Sequence, residues 1–555
     1  METKLNLESF LLECAPQERL SPRVFAMLIN IAIQQQDQEK ALRLARDYFL
    51  IHPNQRVAGF ISEFACQLGT SQIDNHSIME TLEYIIRCPT VGTEPLTNRI
   101  HFLMCRQQGP FYDFMRNWST QKEIKSNFFS EIPRVFHLTL RNGFISSPGL
   151  EFFARHLREI LLLNHGQFTG TEDIVKTLII LSFNNEYVYA KNLEERKALG
   201  KIKDKRDYES VLLYAMYEPP DEERIAILSK DPLLERTFKS NPERERELAK
   251  GIENPEIGMD DPVRRQYEKY PFPRWIDTDA ECSFALSHAT QLGIKDFPEK
   301  PRVLVAGCGT GQQVMMNMKF ACELPVVALD FSLSSLGYAM RKAEEYGIGK
   351  DKVKWLHRDI GNLGDLEGEF DYICCFGVLH HMPNPSLGCK ELTRVLRKGG
   401  VIELGLYSRK GREYIDEVCR MCGIDRTGGE LLREHSELEG LRLMREKVWK
   451  ASQTEDVPKA VEKVIGTKDF YSSSLLKDYF FHEREWLFDV KDMRKLAEEC
   501  ELELVGFGFG KTEVMAEFVK KFGKERHTDW DAWEQFEEER RDVFSGCYIV
   551  FLRKH

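Results

Sequence analysis

Two adjacent histidines, His380 and His381, follow the apolar run Phe370–Phe376 and Gly377, at what reads as the tip of a strand. Imidazole titrates near neutral pH, so a histidine there can take a proton from a bound nucleophile or orient it. One of the pair is expected to face a pocket and the other to pack; a hydrogen-bonded loop histidine is the plainer alternative. A second cluster, from Asp478 to Trp486, is dense in aromatic rings and titratable groups. Within it His482 and Glu483 are candidates for the acceptor site, because a carboxylate attracts a cationic acceptor and aromatic faces hold it. A helix with a solvated charged face would carry the same residues. A third group lies in Gln266–Trp275, where Pro271 and Pro273 fix φ and force an extended path. Tyr267, Tyr270 and Trp275 are candidates to lie over a ligand as a lid, with Tyr267 joining the histidines as a candidate for the chemistry. The alternative is a hydrophobic latch against the sheet.

These groups need a partner to act on, and the run Val303–Gln312 supplies a place for one. An apolar stretch empties into Gly307, Gly309 and Gly311, which allow positive φ and a close ligand approach. Gln312 stands where a dinucleotide fingerprint wants a small residue, which weakens a pyrophosphate reading. Nineteen residues after Gly311, a second apolar run ends in Asp330, at the distance where an acid reaches ribose hydroxyls. Further runs at 353–356, 370–376 and 401–407 alternate with helix-like stretches, which predicts a parallel, doubly wound sheet.

The segments AGCGTGQ, ALDFS, RDI and FDYICCFGVLHHMPNP, in this order, resemble the motifs of class I S-adenosylmethionine-dependent methyltransferases. The resemblance implies S-adenosylmethionine as cofactor. Gly307, Gly309 and Gly311 would touch its methionine part, Asp330 its ribose, and Asp359, with Ile360 beside it, its adenine; Phe331 and Gly377 are further candidates for the cofactor site. It also implies an α/β, Rossmann-like sheet with an antiparallel C-terminal strand, for which 502–507 and 547–552 are the closing pair. Some eighty residues separate Tyr407 from Val490, far more than the roughly two to six of an ordinary connection, so an inserted cap is expected at about 409–489.

The first half reads as all-helical. Ser21, a plausible N-cap before Pro22, opens a stripe of Phe25, Leu28, Ile29 and Ala32, and Ala41, Ala45 and Tyr48 form a second. The pair resembles one tetratricopeptide hairpin, although a repeat array normally needs about three units. Thr171 is a plausible N-cap for a helix with Ile174, Leu178 and Leu181 on one face. Charges and prolines between 201 and 265 place a boundary near 255. The expected division is 1–115 helical and tetratricopeptide-like, 116–255 helical with a charged linker, and 256–555 the methyltransferase core. The whole arrangement resembles tetratricopeptide-containing class I methyltransferases of bacteria.

Composition narrows the rest. At 555 residues, with 42% hydrophobic and 30% charged content, the chain exceeds a single core. A formal charge of -11 does not favour nucleic acid. No run approaches eighteen apolar residues and the first residues resemble no signal segment, so a cytoplasmic protein away from membranes is expected. Fourteen cysteines sit mostly in apolar runs, and the pair Cys419 and Cys422 lacks a second ligand pair, so no metal is expected. The acceptor is expected to be a protein or peptide, or else a small molecule, with the helical half open to a protein partner. A scaffold with a vestigial pocket is the third reading.

Overall fold

The structure, a computed structural model, describes residues 29, 32–33, 38–51, 55–67, 75–88, 91, 96–120, 124–143, 145–164, 166–252, 261–276, 298, 300–317, 325–364, 366, 370–426, 433–508 and 512–555. The chain divides into two compact units, one built mainly from Met1–Leu234 and the other from Glu235–Trp275 and Cys282–His555.

The second unit holds a seven-stranded sheet. Its strands are β1 (Val303–Ala306), β2 (Val326–Asp330), β3 (Val353–His357), β4 (Phe370–Phe376), β5 (Leu396–Tyr407), β6 (Leu502–Gly508) and β7 (Cys547–Lys554). They lie in the order β3-β2-β1-β4-β5-β7-β6. β1 to β5 are parallel, and β7 runs antiparallel between β5 and β6. This is the expected α/β class. β1 and β4 are apolar along almost their whole length because helices cover both faces of a parallel sheet. Side chains alternate between two cores: Leu304, Ile373, Leu404 and Val550 enter one, and Val305, Tyr372, Val401 and Phe551 the other. Strand order runs outward from β1 in opposite directions, so a crevice opens beyond the carboxyl ends of β1 and β4, where such sheets bind ligands.

Residues Glu235–Trp275 group with the sheet, upstream of the boundary expected near 255. The reason is helix Asn241–Lys250, which packs along helix Leu333–Glu345. Arg244 Nη2 pairs with Glu344 Oε1 at 2.6 Å and Arg341 Nε with Glu245 Oε1 at 2.7 Å. A Cβ on Gly337 would overlap the Glu245 carbonyl, so the two helices touch backbone to backbone. The cluster of charges that suggested a linker is therefore half of a helix pair.

Between β5 and helix Val490–Glu499 lies an insert with helices Glu413–Cys422, Glu437–Ala451, Lys459–Ile465 and Ser473–Phe480. Its neck is closed by two bonds: Arg409 N–H donates to the Phe488 carbonyl at 2.8 Å, and Phe488 N–H to the Tyr407 carbonyl at 2.9 Å. Cys419 packs in the interior of this insert and the Cys422 thiol meets the Lys447 carbonyl.

The first unit is helical among its described residues. Ala41 and Ala45 are fully buried on helix Gln38–Ile51, which packs on helix Gln55–Gln67. Ser21, Phe25 and Leu28 lie outside the described residues. Ile174, Leu178 and Leu181 are buried as expected, but the Thr171 side chain makes no cap bond; Thr171 itself has helical φ and ψ. Farther in, Phe111, Phe114, Phe128, Phe136 and Phe153 meet ring to ring in edge-on or stacked contacts. Among the described residues, no helix is long and apolar enough to cross a membrane.

Candidate functional site

A cavity of about 480 Å³ opens at the crevice, and every residue lining it belongs to the second unit. One wall is made largely of backbone. Gly307 and Cys308 both donate their N–H to the Leu329 carbonyl, at 2.8 and 2.9 Å, which winds the loop after β1 around the tip of β2. Gly309 sits at φ +50, and a Cβ there would collide with the Phe272 carbonyl. Its N–H donates to Asp330 Oδ2 at 2.8 Å, while Asp330 Oδ1 accepts from Ser332 N–H at 2.8 Å. Burial pushes the Asp330 carboxyl up to about 6, and the two backbone donors hold it from rising further. At neutral pH it is an ionised acceptor. Phe331, Asp359, Ile360 and Gly377 complete this wall. Asp359 Oδ1 accepts the Gly361 N–H at 2.7 Å, which sets the carboxylate at the end of β3. Gly311 does not line the cavity. Its missing Cβ makes room for Ala339, so it serves helix packing.

The opposite wall is made of side chains. Helix Pro262–Lys269 starts with Asp261, whose carboxylate accepts the Val263 N–H at 2.7 Å, and delivers Tyr267. Glu268 on the same helix accepts the N–H groups of Leu333 and Ser334 at 2.8 and 3.0 Å, satisfying two donors at the start of helix Leu333–Glu345. Tyr267 is thereby fixed above the end of β2. Its hydroxyl donates to Asp478 Oδ1 at 2.8 Å, and Tyr407, the last residue of β5, donates to Asp478 Oδ2 at 3.2 Å. Both tyrosines line the cavity.

The two histidines part company. His380 is buried, stacks on Tyr407 with ring centroids 3.8 Å apart, and accepts the Tyr407 N–H at 3.3 Å. It does not line the cavity. His381 does, and its Nδ1 lies 2.8 Å from the Arg484 carbonyl. A carbonyl only accepts, so Nδ1 carries the proton and Nε2 presents a lone pair. Burial first, then the neighbouring His380 and His482, holds the His381 imidazole well below its usual range, so it is neutral at pH 7. His482 stacks on His381 with centroids 3.5 Å apart. Its Nδ1 accepts the Arg484 N–H at 3.0 Å, which leaves the proton on Nε2, 3.0 Å from the Tyr267 oxygen. His381, His482 and Asp478 offer ligand atoms within 4.8 Å of one another. In these hydrogen bonds the His482 Nε2 is a donor, and it would have to lose that proton to ligate a cation.

The remaining candidates stand apart from the cavity. Trp275 is buried in the core under the sheet. Its indole N–H donates to the Thr310 carbonyl at 3.1 Å, so it acts as a latch for the glycine loop and not as part of a lid. Tyr270 ends the lead-in helix with its ring 4.8 Å from the Lys269 ammonium. Glu483 is exposed and pairs with Lys477 at 3.4 Å. Tyr407 carried no expectation beyond closing its strand, and Asp478 only its place in an aromatic cluster. The position of Tyr407 at a strand tip beside the switch point was the signal available for it.

Residues 303–400 match the family model described as a methyltransferase domain. Over 259 residues the chain is 26% identical to an uncharacterized protein of Synechococcus sp., covering 44% of this chain and 59% of that protein. It is 24% identical over 142 residues to a ubiquinone biosynthesis O-methyltransferase of Psychrobacter arcticus, covering 25% of this chain and 54% of the relative. The chain thus spans between half and two thirds of the length of these two curated relatives. Among solved structures, PKMT2 from Rickettsia typhi aligns with a TM-score of 0.36 at 16% identity, over 48% of this chain and 52% of that one.

Proposed function

We propose that the protein is an S-adenosylmethionine-dependent methyltransferase whose acceptor is a protein or peptide. The observation that carries the reading is the pairing of the two walls in one cavity: a glycine loop and two strand-tip carboxylates face a neutral histidine and two tyrosines. The cradle fits a nucleoside. A Cβ on Gly307 would collide with Val378 and one on Gly309 with the Phe272 carbonyl, so only glycines keep these walls in place, and Asp330 offers a buried, ionised acceptor at the tip of β2, suited to ribose hydroxyls. Asp359 and Ile360 suit an adenine, with one polar and one apolar contact. When bound, the cofactor supplies a sulfonium methyl with a good leaving group. The chain's own task is then to hold the acceptor in line, exclude water and receive a proton. His381, a neutral imidazole lining the cavity, is the group to which we assign that role.

Support for a macromolecular acceptor comes from the helical unit, a structure of some two hundred residues that contributes no described residue to the cavity. A unit that the chemistry does not use suits recognition of a large substrate. Two measurements test the reading. Calorimetry should show uptake of S-adenosylmethionine or its homocysteine product by the wild type, with severe weakening in Asp330→Ala; no uptake by the wild type ends the assignment. Radiolabelled cofactor incubated with lysate should mark protease-sensitive material. Label confined to the small-molecule fraction removes the macromolecular acceptor and leaves the methyltransferase.

A further inference from the structure

The middle of β5 carries a residue that packing alone does not ask for. Val401, Ile402, Leu404 and Leu406 are buried, as a strand covered on both faces requires, yet Glu403 among them is also buried, at 3% exposure. An ionised carboxyl so placed is costly unless a charged partner meets it. Glu403 lies in register with Cys374 of β4 and Phe551 of β7. The Tyr372 hydroxyl donates to its Oε2, and burial pushes its carboxyl up to about 7. A phenol satisfies an oxygen but brings no positive charge. Glu403 also lines the cavity, together with Cys374, Cys547 and the first two residues of helix Gln312–Asn317.

We infer that Glu403 is a cofactor-binding residue whose carboxylate takes the ammonium at the amino-acid end of S-adenosylmethionine. This rests on the methyltransferase reading above. Strand order carries the argument. Asp359, suited to the adenine, follows β3; Asp330, suited to the ribose, ends β2; and the glycine loop follows β1, so a nucleoside laid on all three crosses the strands in the order β3-β2-β1. Its amino-acid end then arrives on the β4–β5 side. Among the described residues that line the cavity from β4, β5, β7 and the helix after the glycine loop, Glu403 is the one that carries charge. The other charged groups lining the cavity stand elsewhere: Arg358 follows β3, Asp261 caps the lead-in helix and pairs with Arg484, and Lys468 and Asp469 belong to the insert. Gln312 and Gln313 bring side-chain amides, the donors that the carboxylate of the same amino-acid end needs. The Cys374 thiol donates to Gln313 Oε1 at 3.3 Å, which joins that helix to the strand beside Glu403.

The test compares S-adenosylhomocysteine with 5′-methylthioadenosine, which keeps the adenine, the ribose and the sulfur but lacks the amino-acid end. By calorimetry on the full chain at pH 8, Glu403→Gln should weaken S-adenosylhomocysteine by about ten- to a hundredfold, the loss of one charge-assisted bond, and leave 5′-methylthioadenosine unchanged. Glutamine still offers Tyr372 a carbonyl and removes a buried charge, so the melting temperature of the ligand-free variant should be equal or higher. Equal weakening of both ligands, or of neither, overturns the inference. A second measurement needs no variant. In the wild type the ratio of the two affinities should fall below pH 7, by up to about tenfold per pH unit, because only S-adenosylhomocysteine needs Glu403 ionised whereas Asp330 serves both ligands alike. The titratable groups around Glu403, which are Tyr372 and Cys374 on β4 and Cys547 on β7, stay neutral over this range because burial raises each of them. A ratio that does not change with pH overturns the inference. Failure of both ligands to bind the wild type would instead overturn the methyltransferase reading.

Discussion

The two walls of the cavity solve different problems with different parts of the chain. The cofactor-side wall is backbone. Its key atoms are amide N–H groups and the spaces left by absent Cβ atoms, arranged within one stretch from Gly307 to Gly309 and at the tips of β2 and β3. The acceptor-side wall is side chain: Tyr267, His381 and Tyr407 arrive from a helix, a turn and a strand, and Asp478 and His482 of the insert hold Tyr267 from behind, the five spread over some two hundred residues. Substitutions on the first wall act through space and backbone strain. Those on the second act through protons.

The largest effect separates the neighbours His380 and His381. His381→Ala removes the imidazole that lines the cavity, and kcat should drop on the order of 10²–10⁴-fold with cofactor affinity unchanged. His380→Ala empties a site stacked on Tyr407 inside the core. It should lower the melting temperature first, with its loss of activity following loss of folded protein. Thermal melts alongside single-turnover rates distinguish the two; equal kinetic and thermal effects from both variants would dissolve the contrast. On the opposite wall, Gly309→Ala places a methyl against the Phe272 carbonyl at a φ that L residues adopt rarely. With strain of about 1–3 kcal/mol, cofactor affinity should weaken by up to about a hundredfold, read by calorimetry.

That contrast also explains what could be read from the residues alone. The cofactor side was legible because its glycines are contiguous and its acids stand at fixed distances after strand patterns. The sheet was legible for the same reason: each strand announces itself as a short apolar run. Asp478 and Tyr407 were not, since nothing in a linear chain tells that residues seventy-one positions apart share a carboxylate. The aromatic strap misled in one respect. Trp275 and Tyr267 have the same aromatic signature, and only packing separates the latch from the cavity wall. The boundary near 255 misled because a charged helix paired with another charged helix looks like a solvated linker.

Acidity gives a milder probe of the backbone wall. Asp330 binds ribose hydroxyls only as the ionised acceptor, so below about pH 6 cofactor affinity should fall, by about tenfold per pH unit. On folding the same carboxyl acts in the opposite sense. Its folded range is raised above the usual 3.8, so the folded chain holds the proton more tightly between these values. This contribution to stability is fully present below the ordinary range and is lost as pH rises through about 6. Asp478, also pushed up to about 6 by burial, and Glu403, pushed up to about 7, add to it in the same direction. Acidification from pH 7 toward 5 should therefore weaken cofactor binding without an equal loss of thermal stability. A parallel fall of both would remove the Asp330 assignment.

The smallest effect belongs to Glu483, which the sequence pattern placed beside His482 as an acceptor contact. The chain turns sharply after helix Ser473–Phe480, so His482 points inward to Tyr267 while Glu483 points to solvent and meets Lys477. An exposed ion pair contributes roughly 0–1 kcal/mol, and charge beyond a screening length of about 8 Å of salt solution reaches a buried acceptor weakly. Glu483→Gln should leave kcat/KM within about twofold and stability within about 0.5 kcal/mol. A drop of tenfold or more, relieved at high salt, would mean that the acceptor is drawn in by an outer carboxylate. The acceptor-side wall would then extend onto the surface of the insert, and the division between a backbone wall for the cofactor and a side-chain wall for the acceptor would have to be redrawn.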